Sequence, residues 1–288
     1  MKNRYESAGS EAAEKEKLIM RLGRYIKRLM DRYKYNENKK VFAFYMILHA
    51  MVVLTGIRCF LTQNYENVLV CILALILFLA PAFIEERMDI SIPPLFQIII
   101  FFFIFAAEIL GEVNHYYVKI PGWDTMLHTM NGFLCVAVGF SLVYLLNRGS
   151  KNVNLSPFYL TLVAFCFSMT IGVLWEFFEF AMDQIFYLDM QKDFIVTAFG
   201  SVTLDPERAQ KVIKMKGIVE TVINTASGET TTVSGYLDIG IIDTMKDLLV
   251  NLVGAIVFSF IGYFTLRTSK ASKVAESFMI KPNEHDEA

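Results

Sequence analysis

Long apolar runs recur along the chain, each close to the roughly 20 residues that a helix needs to cross a bilayer. They cover Val41–Leu61, Asn67–Phe83, Pro94–Leu110, Asp124–Leu146, Pro157–Met182 and Asp243–Leu266. The runs lack the alternation of barrel strands, and backbone groups in lipid must be paired within the segment, so each run predicts a membrane-spanning helix. We therefore predict an all-α fold, a polytopic six-helix transmembrane bundle.

The stretch between the last two runs has a different pattern, rich in Val, Ile and Thr. Two of its segments, "FIVTAFGSVTL" and "GIVETVINTASGETTTVSGYL", favour strands, and "ASGE" favours the turn of a hairpin. Between them, "DPERAQKVIKM" is compatible with a short helical turn beginning at Asp205. We predict a small β-rich insertion outside the membrane, whose length requires a purpose such as a lid or a binding surface.

The patterns divide the chain into five segments. Residues 18–33 combine apolar positions at helical spacing with basic residues, which predicts an amphipathic helix on an anionic membrane surface, with a plain solvated helix as the alternative. The segments are a basic cytoplasmic N-terminal segment (1–40), helices one to five (41–183), the external β-rich loop (184–242), helix six (243–266) and a cytoplasmic tail (267–288).

Composition and charge fit a protein that lives in the lipid bilayer. Apolar residues make up 55% of the chain, while the formal net charge is only −2, so an ordinary soluble domain is excluded. Lys and Arg are concentrated before the first run, and later basic residues fall on the same side when the helices alternate. The positive-inside rule then places both termini in the cytoplasm. We expect no nucleic-acid partner.

Three of the predicted helices carry polar stripes where the chain predicts an external end. Residues three or four apart share one helix face, so each stripe lies on a single side of its helix. The stripes are Asp124, His128 and Asn131 on helix four; Ser168, Gly172, Glu176, Glu179 and Asp183 on helix five; and Asp243, Asp247, Asn251 and Gly254 on helix six. Ionisable residues inside membrane helices are costly and mark functional sites.

Carboxylates gathered in a partly desolvated site repel one another unless a proton, a basic side chain or a metal ion neutralises them. Arg58, Lys119 and Lys246 are candidate counter-charges, and Glu108 with Glu112 on helix three are further candidate members of the site.

Carboxylate oxygens with an imidazole suit a divalent cation. We take Asp124, His128, Asp243 and Asp247 as candidate metal ligands, Glu176 and Glu179 as candidate general acid or base, and Asn131, Asp183 and Asn251 as further polar site residues.

Two other interpretations of the stripes stay open. Polar side chains at helix interfaces also form interhelical hydrogen bonds that hold a bundle together. Acidic stripes can line an ion or proton pathway, although the predicted cytoplasmic halves of these helices contain few polar residues.

Three motifs carry a family resemblance: "WDTMLHTMNGFL", "GVLWEFFEFAMDQ" and "IIDTMKDLLVNLVGA", in this order. The chain resembles the bacterial multi-pass membrane proteins typified by YjdF and is more remotely similar to the VanZ family. The resemblance implies a plasma-membrane protein with functional positions at the matching Asp, His, Glu and Asn residues. The long β-rich loop departs from the YjdF pattern, and the resemblance supplies no reaction.

Three functions are consistent with these observations. The first is a metal-dependent enzyme acting on a lipid or lipid-linked envelope substrate. The second is an envelope-binding or resistance protein that uses the same cleft without turnover, and the third is an ion- or proton-coupled transporter. Neither the substrate nor the oligomeric state follows from the sequence.

Overall fold

The computed structural model describes residues 39–148, 155–267, 277–278 and 280–282. Within them, six helical spans are long and apolar enough to cross a membrane. The spans are Lys39–Leu61, Tyr65–Met88, Pro94–Val113, Trp123–Val143, Pro157–Phe186 and Ile241–Arg267. The predicted six-helix membrane architecture is therefore confirmed. The amphipathic helix predicted at residues 18–33 lies outside the described residues.

The helices and strands follow the chain in a simple order. The helices are α1 (Lys39–Leu61), α2 (Tyr65–Leu77), α3 (Ala80–Met88), α4 (Pro94–Ile104), α5 (Tyr116–Lys119), α6 (Trp123–Arg148), α7 (Pro157–Phe186) and α8 (Ile241–Arg267), and a π-helical segment (Phe105–Val113) continues α4. The strands are β1 (Ile90–Ser91), β2 (Ile195–Val196), β3 (Ala198–Ser201), β4 (Ile213–Lys216), β5 (Thr221–Asn224), β6 (Thr230–Val233), β7 (Tyr236–Leu237) and β8 (Lys281–Pro282).

The chain forms two compact units, residues 1–120 with 271–288 and residues 121–270. The described part of the first unit contains the first three spans around an apolar core. Its aromatic centre joins Tyr45, Phe78 and Phe101, with ring centroids 5.2 to 6.1 Å apart. The buried Glu85 accepts hydrogen bonds from the Ile92 N–H and the Gln97 side chain, and β1 pairs antiparallel with β8. Glu108 and Glu112 lie in the π-helical segment of this unit.

The second unit contains the last three spans, and α6 and α8 approach each other until their backbones touch. A Cβ atom added to Gly132 would stand 2.1 Å from the Asn251 carbonyl oxygen, and one added to Gly254 would stand 2.0 Å from the Thr129 carbonyl oxygen. Small residues allow such close packing between helices in membranes. The two contacts are reciprocal, so they determine the register of α6 against α8.

Polar side chains fill the space that these glycines leave. The Asn131 Nδ2 donates to Asn251 Oδ1 at 3.1 Å, and the Ser168 hydroxyl donates to the Gly132 carbonyl oxygen at 2.8 Å. Asn251 also fits against Gly172, where an added Cβ would lie 2.7 Å from its Nδ2. These contacts link α6, α7 and α8 at one level. Interhelical hydrogen bonds of this kind stabilise a membrane bundle by about 1 kcal/mol each.

The ends of α7 follow from local sequence. Ser156 precedes Pro157 and its hydroxyl accepts the Tyr159 N–H at 3.2 Å, an N-cap followed by proline at the first helical position. At the other end Tyr187 adopts a left-handed conformation with φ 55°, and its N–H donates to the Asp183 carbonyl oxygen. The helix stops there, and the chain turns back toward the start of α8.

The segment between α7 and α8 forms small antiparallel strand pairs, as the sequence predicts. β2 pairs with β7, β3 with β4, and β5 with β6. The β5–β6 hairpin turns through Gly228, whose φ of +87° suits glycine, and the Gly228 N–H donates to the Thr225 carbonyl oxygen. The rings of Phe199 and Tyr236 stack at 4.8 Å and join two of these pairs.

The predicted helical turn after Asp205 is absent from the structure, so that prediction is wrong. The Asp205 carboxylate instead accepts the backbone N–H groups of Glu207, Ala209 and Lys211, while Arg208 and Gln210 adopt left-handed φ angles. These hydrogen bonds, led by that from Lys211, hold the pKa of Asp205 below its ordinary value. The aspartate that favours a helix start here organises an irregular turn, because its side chain competes for the same N–H groups.

We predict that Gly254→Ala destabilises the protein by about 1–3 kcal/mol, because the added methyl group overlaps the Thr129 carbonyl oxygen. A detergent-solubilised variant should melt at a lower temperature than the wild type. Gly56→Ala is the matched control, since its nearest contact is Cys71 Cβ at an ordinary 3.4 Å. Equal melting temperatures for both variants would contradict the close contact between α6 and α8.

Candidate metal centre

The three polar stripes of the sequence face one another inside the second unit. His128, Glu176, Glu179, Asp243, Asp247 and Asn251 are all buried, with exposed fractions of 8% or less. They lie at the end of the spans where α6 and α8 begin and α7 ends. Helix rotation, which no single sequence reveals, turns each stripe toward the other two.

The His128 imidazole lies between three carboxylates. Its Nε2 is 3.6 Å from Asp124 Oδ1 and 3.8 Å from Asp247 Oδ2, and its Nδ1 is 3.8 Å from Glu176 Oε1. We call Asp124, His128, Glu176 and Asp247 the His128 cluster. It draws one residue from α7, one from α8 and two from α6, the latter one helical turn apart.

The distances at Nε2 suit a shared metal ion better than hydrogen bonds. Nitrogen–oxygen hydrogen bonds measure about 2.7–3.2 Å, which is shorter than both contacts. Two ligands of a tetrahedral ion with bonds of about 2.0–2.2 Å lie roughly 3.3–3.6 Å apart, so the Asp124 contact falls at the upper end of this range and the Asp247 contact lies just beyond it. Ligand atoms from Asp124, His128 and Asp247 all lie within 4.8 Å of one another, and this is the one such group among the described residues. The group could hold a metal ion.

Glu176 is buried without a hydrogen bond. The side chain is 4% exposed, and neither carboxylate oxygen has a hydrogen-bond partner among the described residues. The side chains of Gln191 and Thr244 lie near this carboxylate. The Gln191 amide donates to the Thr244 hydroxyl at 2.6 Å, so the hydroxyl proton remains available to Glu176. A buried carboxylate that lacks donors is costly, so this group needs a cation or a donor.

Glu179 has a different environment one turn further along α7. Its Oε1 accepts the Trp175 indole N–H at 2.8 Å. Trp175 is 45% exposed and contacts Phe178, so the pair lies where the buried cluster meets the surface of α7. The two glutamates predicted as acid or base therefore differ, since one has a donor and the other has none.

Asp183 and Asp243 bind the chain that leaves α7. The Asp183 carboxylate accepts the N–H groups of Met190 and Gln191 at 2.7 and 2.9 Å, and Asp243 Oδ2 accepts the Lys192 N–H at 2.7 Å. We call Met190–Phe194 the strap. Asp243, predicted as a metal ligand, thus lies in the same unit but outside the group of three that could hold an ion.

Sequence reasoning named Asp183, Asp243 and Lys246 but missed Asp238 among the residues that hold the strap. Asp238 accepts the N–H groups of Phe194 and Ile242, and the Lys246 ammonium lies 3.6 Å above the Phe194 ring. Asp238, just ahead of α8, had the position of a helix cap and could have been recognised. Gln191 lies in a loop, where the sequence holds no comparable signal.

One of the three positive charges that the sequence offered as counter-charges, Lys246, lies in this unit. Lys246 covers the Phe194 ring, and Arg58 and Lys119 belong to the first unit. The Lys192 ammonium contacts the Asp189 carbonyl oxygen and lies 4.0 Å from the Asp189 carboxylate.

Asn131 and Asn251 lie one turn deeper than His128 and Asp247. Their side chains bond to each other, while Asn131 Oδ1 also accepts the Cys135 thiol and Asn251 Nδ2 contacts the Met169 sulfur. Their hydrogen-bonding groups serve the contacts between helices. Of the predicted polar residues, Asn131 and Asn251 therefore fit the interpretation that polar side chains hold the helices together. The carboxylate and imidazole atoms that could bind a ligand lie in the His128 cluster.

A family model described as "Predicted membrane protein (DUF2238)" matches residues 41–268, a range that begins two residues inside the first span and includes the other five. Neither a curated protein nor a solved structure matches the chain.

We predict that Asp183→Ala loosens the strap, because Met190 and Gln191 lose the acceptor of their N–H groups. Hydrogen–deuterium exchange of the peptide covering residues 187–194 should become several-fold faster. Asp189→Ala is the control, since its carboxylate is largely exposed and 4.0 Å from Lys192 Nζ. Unchanged exchange in Asp183→Ala would show that the strap is held by other contacts.

Proposed function

Since the chain belongs to the DUF2238 family of predicted membrane proteins, we propose that it is a divalent-cation-dependent protein whose ion binds at Asp124, His128 and Asp247. The proposal rests on one observation: Nε2 of a buried histidine lies between two carboxylates, at 3.6 and 3.8 Å, close to the spacing of ligands of a common ion. Two carboxylates and one neutral imidazole would balance the charge of a dication. The ligand set, one nitrogen with carboxylate oxygens, suits Zn²⁺, Mn²⁺ or Fe²⁺.

Three protein ligands leave room on the ion for a further group, as in catalytic rather than structural metal sites. A cation held in this way supplies Lewis-acid chemistry, polarising a carbonyl or phosphoryl oxygen. Glu176 and Glu179, beside the ligands, are the candidate groups for proton transfer. Asp243 lies outside the group of three and its Oδ2 accepts the Lys192 N–H, so we place it in the support of the site.

We further propose that the site serves a metal-dependent enzyme on a lipid or lipid-linked envelope substrate. The support is positional: the buried cluster lies near one end of three membrane spans, and the exposed Trp175, Phe177 and Phe178 cover the neighbouring surface of α7. A substrate with a lipid tail could approach along that surface while its polar head meets the ion. The strap covers the residues that begin α8.

The orientation and the finer family assignment belong to the same proposal. Both termini in the cytoplasm of a bacterial plasma membrane would direct the His128 cluster and the β-rich segment to the outer side, where envelope substrates are found. The resemblance to YjdF and, remotely, to VanZ is consistent with that location. Reporter fusions at Gly228 test it, and a cytoplasmic signal there would contradict the outer location.

We predict that the purified wild type binds about one divalent cation per chain, and that His128→Ala and Asp247→Ala each lose most of it. The reason is that each substitution removes one of three ligands. Metal analysis after dialysis against trace Zn²⁺ or Mn²⁺ provides the measurement. Asp189→Ala, which removes an exposed carboxylate, should keep the wild-type content. Equal content in all four proteins would rule out the site.

We predict that the cation-loaded protein in nanodiscs converts a component of extracted envelope lipids, and that the conversion stops with Asp247→Ala. Mass spectrometry of the lipids before and after incubation detects the product. Cation binding without any conversion would favour a binding or resistance protein. A cation flux into proteoliposomes that Glu176→Gln abolishes would favour a transporter.

A further inference from the structure

The His128 imidazole offers the Glu176 carboxylate a donor from α6, in addition to the side chains of Gln191 and Thr244 that lie near it. Glu176 Oε1 and His128 Nδ1 are 3.8 Å apart, so a shift of roughly 1 Å brings them to hydrogen-bond distance. Both side chains are buried, His128 at 8% and Glu176 at 4% exposed. Water therefore has little access to that carboxylate. A hydrogen bond from the imidazole N–H would reduce the free-energy cost of burying it.

The Nε2 side of the imidazole requires a lone pair, whereas the Nδ1 side requires a proton. A neutral imidazole carries one proton, so one nitrogen donates and the other presents a lone pair. Nε2 points to Asp124 and Asp247, where a cation requires a lone pair. A proton on Nδ1 points at Glu176 and leaves the Nε2 lone pair free for the ion, whereas the other tautomer turns a lone pair toward the Glu176 carboxylate and blocks the ion.

We propose that Glu176 is a positioning residue: it accepts the Nδ1–H of His128 and thereby holds the imidazole with Nε2 directed at the cation. This assignment rests on the proposed cation site and separates the two glutamates of α7. Carboxylates that accept the second N–H of a metal-bound histidine determine its tautomer and ring orientation and raise its basicity. Glu179, which already accepts the Trp175 N–H, then remains the candidate for proton transfer.

The helices make this arrangement rigid. His128 lies one turn from Gly132, whose carbonyl oxygen accepts the Ser168 hydroxyl. Glu176 lies one turn from Gly172, which contacts the Asn251 side chain. The first contact joins α6 to α7 and the second joins α7 to α8, so the imidazole and the carboxylate face each other from packed helices, without a flexible loop between them.

The test combines two measurements on protein in nanodiscs. The first is the tautomer of His128 by ¹⁵N NMR with labelled histidine in cation-free buffer, its signal assigned from His128→Gln among the four histidines of the chain. The second is Zn²⁺ affinity and stoichiometry by calorimetry. Glu176→Gln and Glu176→Ala are compared with Glu207→Gln, which changes an exposed glutamate of the external segment.

We expect the Nδ1–H tautomer in the wild type and in Glu207→Gln. Glu176→Ala should lose the preference, and Glu176→Gln should keep part of it, because its amide oxygen still accepts. Zn²⁺ should bind about 10–100-fold more weakly to Glu176→Gln with unchanged stoichiometry.

If Glu176→Ala changes neither the His128 tautomer nor the Zn²⁺ affinity, the role assigned to Glu176 is overturned while the cation site stands. Absence of Zn²⁺ binding in the wild type would instead refute the proposed function. In that event the tautomer measurement still decides whether Glu176 orients the imidazole, since it requires no cation. Glu176→Gln is nearly isosteric, so a folding defect confined to Glu176→Ala leaves both measurements interpretable.

Discussion

The backbone contact between α6 and α8 is the constraint on which the rest of the second unit depends. Gly132 and Gly254 remove the side chains that would keep these helices apart, and each meets a carbonyl oxygen of the other helix. His128 lies one turn from Gly132, and Asp247 lies one turn from Asn251, whose carbonyl oxygen faces Gly132. The same register that closes the helix pair therefore brings the imidazole and the carboxylate to a common level.

Hydrogen bonding separates the acidic residues of this unit into two kinds. Asp183, Asp238 and Asp243 accept backbone N–H groups from the strap or from the start of α8, so their charge is stabilised by the fold. Glu176 is buried without such donors. Burying a carboxylate without hydrogen-bond donors costs free energy, so such a group indicates a bound ligand or a bound proton. This difference, more than the number of acids, identifies the His128 cluster as the candidate site.

The fold gives the two glutamates of α7 different environments, and their proposed roles depend on that difference. Trp175 gives Glu179 a donor at the edge of the cluster, while Glu176, one turn earlier, faces the imidazole. Two residues of the same type on one helix thus acquire different environments from a difference of about 60° around the helix axis. A proton-transfer group and an orienting group are what a metal-dependent site requires in addition to its ligands.

The six spans followed from the sequence alone, because helix length and apolar composition are dictated by the thickness of a bilayer. Spacing also identified the stripes, since positions three and four apart must share a helix face. The helical turn expected after Asp205 failed because a side chain captured the backbone donors. Which acids would meet His128, and which would bind the strap, was decided by helix rotation and register. Those depend on contacts such as that between Gly254 and Thr129, which join residues far apart in the chain and leave no periodic signal in it.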